Sequence, residues 1–168
     1  TASTYNNIAF MYQKQGDHQK ALELYKKALD IKERVLGNKH PSTAATYNNI
    51  AYFDQTQDDN QKALEFYQKA MESFEEVLGK EHPDTAFAYN NIAGVYVALG
   101  NYPKALEYYQ KALDIREKIL GKEHLVTALT YNNLAEVYHY QGNYLKALEY
   151  FQKAQRVLGK KPPDTVNT

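Results

Sequence analysis

The chain has 168 residues, no cysteine, and 20 basic residues balanced by 20 acidic ones. The missing cysteine excludes disulfides and thiolate zinc sites, and the zero net charge removes any overall basic field for nucleic acid or anionic lipid. No leader pattern opens the chain, and no apolar stretch reaches the roughly 20 residues of a membrane helix. We therefore expect a cytoplasmic protein whose partners are neither nucleic acid nor membrane.

A segment of 42 residues recurs along the chain. The motif Tyr-Asn-Asn and the motif Lys-Ala-Leu-Glu each occur four times at this spacing, beginning at residues 5, 47, 89 and 131 and at residues 20, 62, 104 and 146. The Leu-Gly pair that closes each unit comes four residues early in the last one, at Leu158 and Gly159. We divide the chain, as a single repeat domain, into units 1–42, 43–84, 85–126 and 127–164, with 165–168 as the start of an absent fifth unit.

Each unit predicts two helices. In the third unit, Tyr89, Ile92, Ala93 and Tyr96 follow the spacing of one helical face. A turn at Gly100 then ends this helix.

The second helix of the third unit begins after a capping residue, Asn101, and buries Ala105, Tyr109 and Ala112. Asp17 and Asn143 are the equivalent caps in the first and last units. At the start of the next first helix, after a His-Pro pair, Ser42 or Asp84 is the expected cap. The imidazole of each His-Pro loop is expected to bond a carbonyl of the turn.

One helix pair cannot bury its faces alone, so the units are expected to stack into a solenoid. The period alone also suits HEAT or armadillo arrays. The pattern Asn-x-Ala-x-x-Tyr, Gly-[Asp/Asn]-[Tyr/His]-x-x-Ala, Tyr-x-x-Ala resembles the tetratricopeptide repeat (TPR). Eight residues beyond the usual 34 lengthen the second helix and its loop, as in the 42-residue repeats of kinesin light chains. The resemblance implies an all-α, right-handed superhelical solenoid of four antiparallel helix pairs.

The second unit departs from the others. It carries 9 acidic and 3 basic residues, whereas each other unit has a small net positive charge. Asp54 replaces a tyrosine on the packing face and Asp58 replaces the turn glycine. Because a carboxylate on a packing face is costly, we expect this turn to be the weak point of the array. The acidic unit is a solvated face, a contact for a basic partner, or a contact for a basic end of another copy of the chain, and these interpretations stay open.

The face of each first helix opposite its apolar stripe is the candidate binding surface. By resemblance to TPR arrays it lines a concave groove that holds partner peptides. We call it the groove face. Its candidate binding residues are Asn6, Asn7, Phe10, Gln13, Lys14, Asn48, Asn49, Tyr52, Gln55, Phe87, Asn90, Asn91, Val97, Asn132, Asn133, Glu136, His139 and Tyr140.

Two asparagines per unit form a ladder on this face. Their amides can bind the backbone of an extended peptide, or they can bond to one another and fix the stacking of the helices. The groove face carries a single base, Lys14, and a single acid, Glu136. This balance argues against a clamp for acidic peptide tails and against the acid-flanked cargo peptides of kinesin light chains. We expect a largely neutral peptide with apolar anchors.

No pattern of catalytic or metal-ligating residues stands out. Three of the five histidines recur at one loop position, at His40, His82 and His124, which indicates a structural role. We expect no metal, no cofactor and no enzymatic activity. Two functions remain: a peptide- or protein-binding scaffold within a larger adaptor or sensor, and a structural spacer that self-associates through uncapped ends.

Overall fold

The computed structural model describes residues 1–159, and they form eight α-helices joined by short turns. The last residues of the fourth unit and the expected start of a fifth at 165–168 lie outside the described residues. This architecture confirms the all-α solenoid predicted from the repeats. The helices are α1 (Ala2–Gln15), α2 (His18–Leu36), α3 (Pro41–Thr56), α4 (Asn60–Val77), α5 (Pro83–Ala98), α6 (Tyr102–Ile119), α7 (Leu125–Tyr140) and α8 (Tyr144–Leu158).

Small residues allow the two helices of each pair to pack closely. In the third unit, Ala93, Ala105 and Ala112 are completely buried, and Tyr96 and Tyr109 are almost so. The predicted apolar face of α5 is therefore the buried one. The equivalent alanines of the other units are buried in the same way. The large rings pack both within a pair, as where Tyr96 stacks on Tyr108, and between neighbouring pairs, as where Tyr25 meets Phe53.

The caps of the second helices agree with the sequence prediction. The side chains of Asp17, Asn101 and Asn143 accept hydrogen bonds from backbone N–H groups three residues later. Gly100 has a φ of 71°, the left-handed conformation in which a side chain is strained. The same turn in the second unit places Asp58 at a φ of 60°.

The caps of the first helices differ from the prediction. The N-cap of α3, α5 and α7 is a histidine, and not Ser42 or Asp84. The Nδ1 atom of His40 accepts the N–H of Ser42 at 3.0 Å, and His82 accepts the N–H of Asp84 at 3.1 Å. The imidazole is thus an acceptor for a helix N–H, whereas we expected it to bond a turn carbonyl. This role also explains why His124 is retained where the following proline is lost.

A tyrosine–glutamate hydrogen bond joins each pair of helices to the next. In the second, third and fourth units, the tyrosine of the Tyr-Asn-Asn motif donates a hydrogen bond from its hydroxyl to a glutamate near the end of the preceding second helix. The Tyr89 hydroxyl oxygen and Glu75 Oε1 are 2.5 Å apart, and the tyrosine ring is buried. Burial, followed by the bond to Glu75, raises the pKa of the Tyr89 hydroxyl. The equivalent pairs are Tyr47 with Glu33 and Tyr131 with Glu117.

Exposed ion pairs at two junctions have opposite polarity. Lys39 pairs with Glu76 at the first junction. At the second junction, the residues 42 positions further on are Glu81 and Lys118, and they also pair. Exposed pairs add little stability. However, lysine and glutamate exchange positions between the two junctions. A unit stacked on the wrong neighbour would therefore bring like charges together, which favours the native order of similar units.

Asp54 lies in the core at the position of a stacked tyrosine. In the third unit, Tyr96 stacks on Tyr108 with ring centroids 5.7 Å apart, and Lys104 lies over its ring. Asp54 is 7% exposed, and its Oδ2 atom is buried without a hydrogen-bond partner. Burial, and to a smaller extent Asp59, raises the pKa of the Asp54 carboxyl above its usual range. Its charge therefore destabilises the folded state at neutral pH.

We predict that Tyr89→Phe lowers the stability of the array by about 1–2 kcal/mol, because it removes a bond to a carboxylate across a junction. Thermal unfolding followed by circular dichroism measures this change. Tyr5→Phe is the matched control, since the Tyr5 hydroxyl forms no hydrogen bond within residues 1–159 and its ring is 36% exposed. Equal losses in the two variants would show that the junction bond has no special weight.

We predict that Asp54→Tyr combined with Asp58→Gly raises the melting temperature. The new ring can stack on Phe66 beneath Lys62, as in the third unit, and glycine relieves the left-handed strain, for a gain of about 1–3 kcal/mol.

The variant Asp54→Asn tests the effect of the buried charge alone. Because the pKa of Asp54 is raised in the folded state, its destabilising charge is fully present above that folded pKa. The gain from Asp54→Asn should therefore be largest near pH 7 and shrink as the pH falls toward the unfolded value near 4. A gain that does not vary with pH would contradict the assigned cause.

Candidate functional site

The groove face presents large apolar side chains to solvent in every unit. Phe10, Tyr52, Phe87 and Tyr140 are 38%, 43%, 50% and 55% exposed. They come from α1, α3, α5 and α7, so each first helix contributes one. Lys14 lies over the Phe10 ring at 5.2 Å. The ring centroids of His139 and Tyr140 are 6.0 Å apart.

The side chain of the first asparagine forms hydrogen bonds within the protein in three units. Asn6 is buried and donates to the Thr46 hydroxyl of the next first helix at 2.9 Å. Asn90 accepts bonds from Arg116 at 3.0 Å and from Asn133 at 3.3 Å. Asn132 donates to Glu136 at 2.8 Å. The bonds of Asn6 and Asn90 support the interpretation that the first asparagine holds helices together, whereas the bond of Asn132 lies within α7.

Asn48 and the second asparagines differ in their surroundings. Asn48 is buried, and its Oδ1 atom has no partner. Asn7 and Asn49 are exposed, whereas Asn91 is half-buried. Within residues 1–159 the side chains of Asn7, Asn49 and Asn91 form no hydrogen bond. Their amides are therefore free to bind a ligand.

Gln13 and Gln55 connect the groove face to the second helices. The Tyr25 hydroxyl donates to Gln13 at 3.0 Å, and Tyr67 donates to Gln55 at 3.4 Å. Gln13 also donates to Thr56 at 3.2 Å and is buried. In the third unit Val97 takes the place of this glutamine. These two glutamines thus orient neighbouring helices as well as lining the face.

Two cavities open beside the groove face and are related by one repeat. The first, of about 240 Å³, brings together Asn48, Asn49 and Phe87 with Pro41, Ala45, Phe74 and Asp84. The second, of about 280 Å³, lies between α5, α6 and α7. It is lined mostly by apolar side chains, among them Phe87, Ile115, Ile119 and Leu120. Phe87 borders both cavities, so together they form an interrupted trough along the first helices.

Several side chains of the second helices line the cavities or join the units, and considering the first helices alone missed them. Arg116 lines the second cavity and is only 8% exposed. Lys32 occupies the same position in the first unit and donates to the Ser42 carbonyl at 2.9 Å. Glu33, Glu75 and Glu117 recur at the 42-residue step. That recurrence was visible in the sequence and was the signal for the junction bonds.

The described residues show no cluster typical of a metal centre. Within residues 1–159 no group of three histidine, aspartate or glutamate side chains lies close enough to share an ion. No helix in this range has the length and apolar character needed to cross a bilayer.

Helix pairs stacked in register define an α-solenoid, a class of protein that presents an extended surface to its partners. The TPR family model matches residues 1–76, 42–118 and 84–160. The chain therefore belongs to the tetratricopeptide repeat family, which is a family of non-catalytic scaffolds that bind peptides or proteins. A comparison with curated protein sequences finds no match.

Solved structures confirm the fold and the resemblance to kinesin light chains. BtubC (BKLC) from P. vanneervenii is 24% identical with a TM-score of 0.86, over 99% of this chain and 68% of that one. A kinesin-light-chain-type protein from Podosopora anserina with nearly identical TPR-like repeats is 25% identical with a TM-score of 0.83, over 96% and 77%. The apo form of RapI is 24% identical with a TM-score of 0.82, over 94% and 56%.

We predict that Asn90→Ala destabilises the array and that Asn91→Ala does not. Asn90→Ala removes the acceptor of two bonds and leaves the buried Arg116 with one partner fewer, at a cost of about 2 kcal/mol. Asn91 forms no bond within the described residues, so its loss should change stability by less than about 0.5 kcal/mol. Chemical denaturation of both variants measures the difference. A stable Asn90→Ala variant would argue against a structural role for the first asparagine.

Proposed function

We propose that this chain binds an extended peptide segment of a partner protein along its groove face. The observation that carries the proposal is the row of exposed apolar side chains, Phe10, Tyr52, Phe87 and Tyr140, one on each first helix. Exposed apolar side chains collected on one face are typical of an interaction surface. Asn7, Asn49 and Asn91 lie on the same face, and their amides form no hydrogen bond within residues 1–159.

The two kinds of side chain have different roles in the proposal. Aromatic rings supply contact area at little cost in side-chain entropy, and they act as anchors. The free amides of Asn7, Asn49 and Asn91 donate to and accept from a peptide backbone whatever its sequence. The side chains that vary between units, such as Phe10, Tyr52 and Glu136, then set which partner residues are accepted.

Fixed side chains support these binding groups. The bonds of Asn6 and Gln13 join α1 to α3, and the bond of Asn90 to Asn133 joins α5 to α7. A surface that is already ordered avoids part of the entropic cost of binding. A cytoplasmic location, which is predicted from the sequence, is part of the proposal. Self-association through the ends stays a prediction for the alternative spacer function.

A selection from a random twelve-residue peptide library displayed on phage tests the proposal. Peptides selected on the native chain are synthesised, and their affinity is measured by fluorescence anisotropy. We predict that the double variant Tyr52→Ser, Phe87→Ser weakens binding at least about tenfold, which corresponds to about 1.4 kcal/mol.

Val35→Ser, Val77→Ser is the matched control, because both valines are exposed but lie near the ends of second helices. This control should bind the peptides as the native chain does. Melting curves establish that all variants are folded. The proposal fails if no peptide is enriched, or if the control loses as much affinity as the groove-face variant.

A further inference from the structure

Gly94 leaves a gap on the groove face of the third unit. The residues at the same position of the other units are Phe10, Tyr52 and Glu136, and all three are exposed. Apart from its chain neighbours and the backbone of α5, the place that a Cβ atom would take on Gly94 has one neighbour within 4 Å. This neighbour is the Tyr109 hydroxyl oxygen of α6, at 3.7 Å. The Tyr109 hydroxyl therefore lies at the bottom of the gap, where a larger side chain at position 94 would cover it.

The Tyr109 hydroxyl is an unpaired polar group on a buried side chain. Tyr109 is only 6% exposed. Within residues 1–159 its hydroxyl forms no hydrogen bond, yet the oxygen is not sealed off from solvent. In the first two units the tyrosine at this position donates to a glutamine of the first helix, whereas the third unit has Val97 in place of that glutamine. The hydroxyl is thus left open to an acceptor from outside the chain.

The charges near the hydroxyl restrict what can approach it. Burial, and to a smaller extent Glu136, raises the pKa of the Tyr109 hydroxyl to about 12, and Arg116 opposes this shift. The hydroxyl is therefore protonated at neutral pH and can donate a hydrogen bond. The Glu136 carboxylate disfavours an acidic ligand group, and the Arg116 guanidinium disfavours a basic one. A neutral acceptor suits these surroundings.

The first two units show which neutral acceptor fits this hydroxyl. There the tyrosine donates to the Oε1 atom of a glutamine, at 3.0 Å in the first unit and at 3.4 Å in the second. A carboxamide carries no charge, and its NH2 group is favoured by a nearby carboxylate such as that of Glu136. Since the third unit lacks the glutamine, the carboxamide that fills this place must come from a ligand.

The combination of a gap and an unpaired hydroxyl occurs once within the described residues. In the first two units a glutamine pairs with the hydroxyl, and Phe10 or Tyr52 stands at the place of Gly94. The fourth unit has Phe151 at the position of Tyr109, and phenylalanine has no hydroxyl. A ligand group that uses the gap therefore fixes the position of a bound peptide along the array.

We infer that the gap at Gly94 accepts an Asn or Gln side chain of the bound peptide, whose carbonyl oxygen accepts a hydrogen bond from the Tyr109 hydroxyl. This inference rests on the proposed function and adds a specific side chain and a register to it. The carboxamide of the partner takes the place that Gln13 and Gln55 occupy in the first two units. Tyr109 is thereby a specificity-determining residue on a second helix.

Selections from the twelve-residue phage library test this inference. They are run in parallel on the native chain and on three variants. Tyr109→Phe removes only the hydroxyl. Val97→Gln supplies the glutamine of the first two units, and Gly94→Tyr introduces the residue of the second unit, which covers the hydroxyl.

Tyr108→Phe is the matched control. Tyr108 precedes Tyr109 in α6, and its hydroxyl also forms no hydrogen bond within residues 1–159. Its side chain points about 100° away from that of Tyr109, as for any adjacent residues of a helix. Melting curves confirm that each variant is folded.

Peptides selected on the native chain should carry Asn or Gln at one aligned position at least about three times as often as the unselected library. Tyr109→Phe, Val97→Gln and Gly94→Tyr should each lose this preference, and Tyr108→Phe should keep it. For a selected peptide, Tyr109→Phe and a Gln→Met or Asn→Leu change in the peptide should each weaken binding about fivefold, with no further loss when combined.

The outcomes distinguish this inference from the proposed function. Selected peptides without the carboxamide, or a carboxamide preference that persists in Tyr109→Phe, overturn the role of Tyr109 and leave groove-face binding intact. Losses that simply add in the combined change also overturn it. Failure to enrich any peptide overturns the proposed function itself.

Discussion

The structure depends on one constraint: each helix pair has a face that only the next pair can bury. The tyrosine of the Tyr-Asn-Asn motif meets this constraint at every junction. Its ring is buried between units, and its hydroxyl donates to a glutamate of the preceding second helix. Apolar burial supplies the attraction, while the hydrogen bond sets the relative position of the two units. The spacing of the groove face follows from this repeated contact.

The polar side chains of the first helices divide between fold and surface. Asn6 and Asn90 hold neighbouring helices together, whereas Asn7 and Asn49 are exposed and form no hydrogen bond with residues 1–159. Adjacent residues on a helix point about 100° apart, so one side chain of the pair faces the next unit and the other faces solvent. A single motif thus provides both the stacking contact and a free amide.

Differences between units give the array an individual character. Asp54 introduces a buried carboxyl where a stacked tyrosine would stabilise the pair, and Arg116 introduces a buried guanidinium beside an apolar cavity. Both are departures from the repeat at positions where burial makes charge expensive. The two differ in their surroundings: Asp54 lies inside its helix pair, while Arg116 lines a cavity between neighbouring pairs.

The sequence by itself determined the repeat, the helix pairs, the buried alanine and tyrosine faces and the family, because periodicity and small residues act locally and recur at a constant step. Only the tertiary structure decided which atoms meet across the junctions. It showed that histidines, and not Ser42 and Asp84, cap the first helices. It also showed that Asn90 forms hydrogen bonds where Asn91 does not, and that Arg116 of a second helix lies beside the first helices. Such contacts depend on the rotation of one unit against the next, and the pattern of a single unit does not contain that rotation.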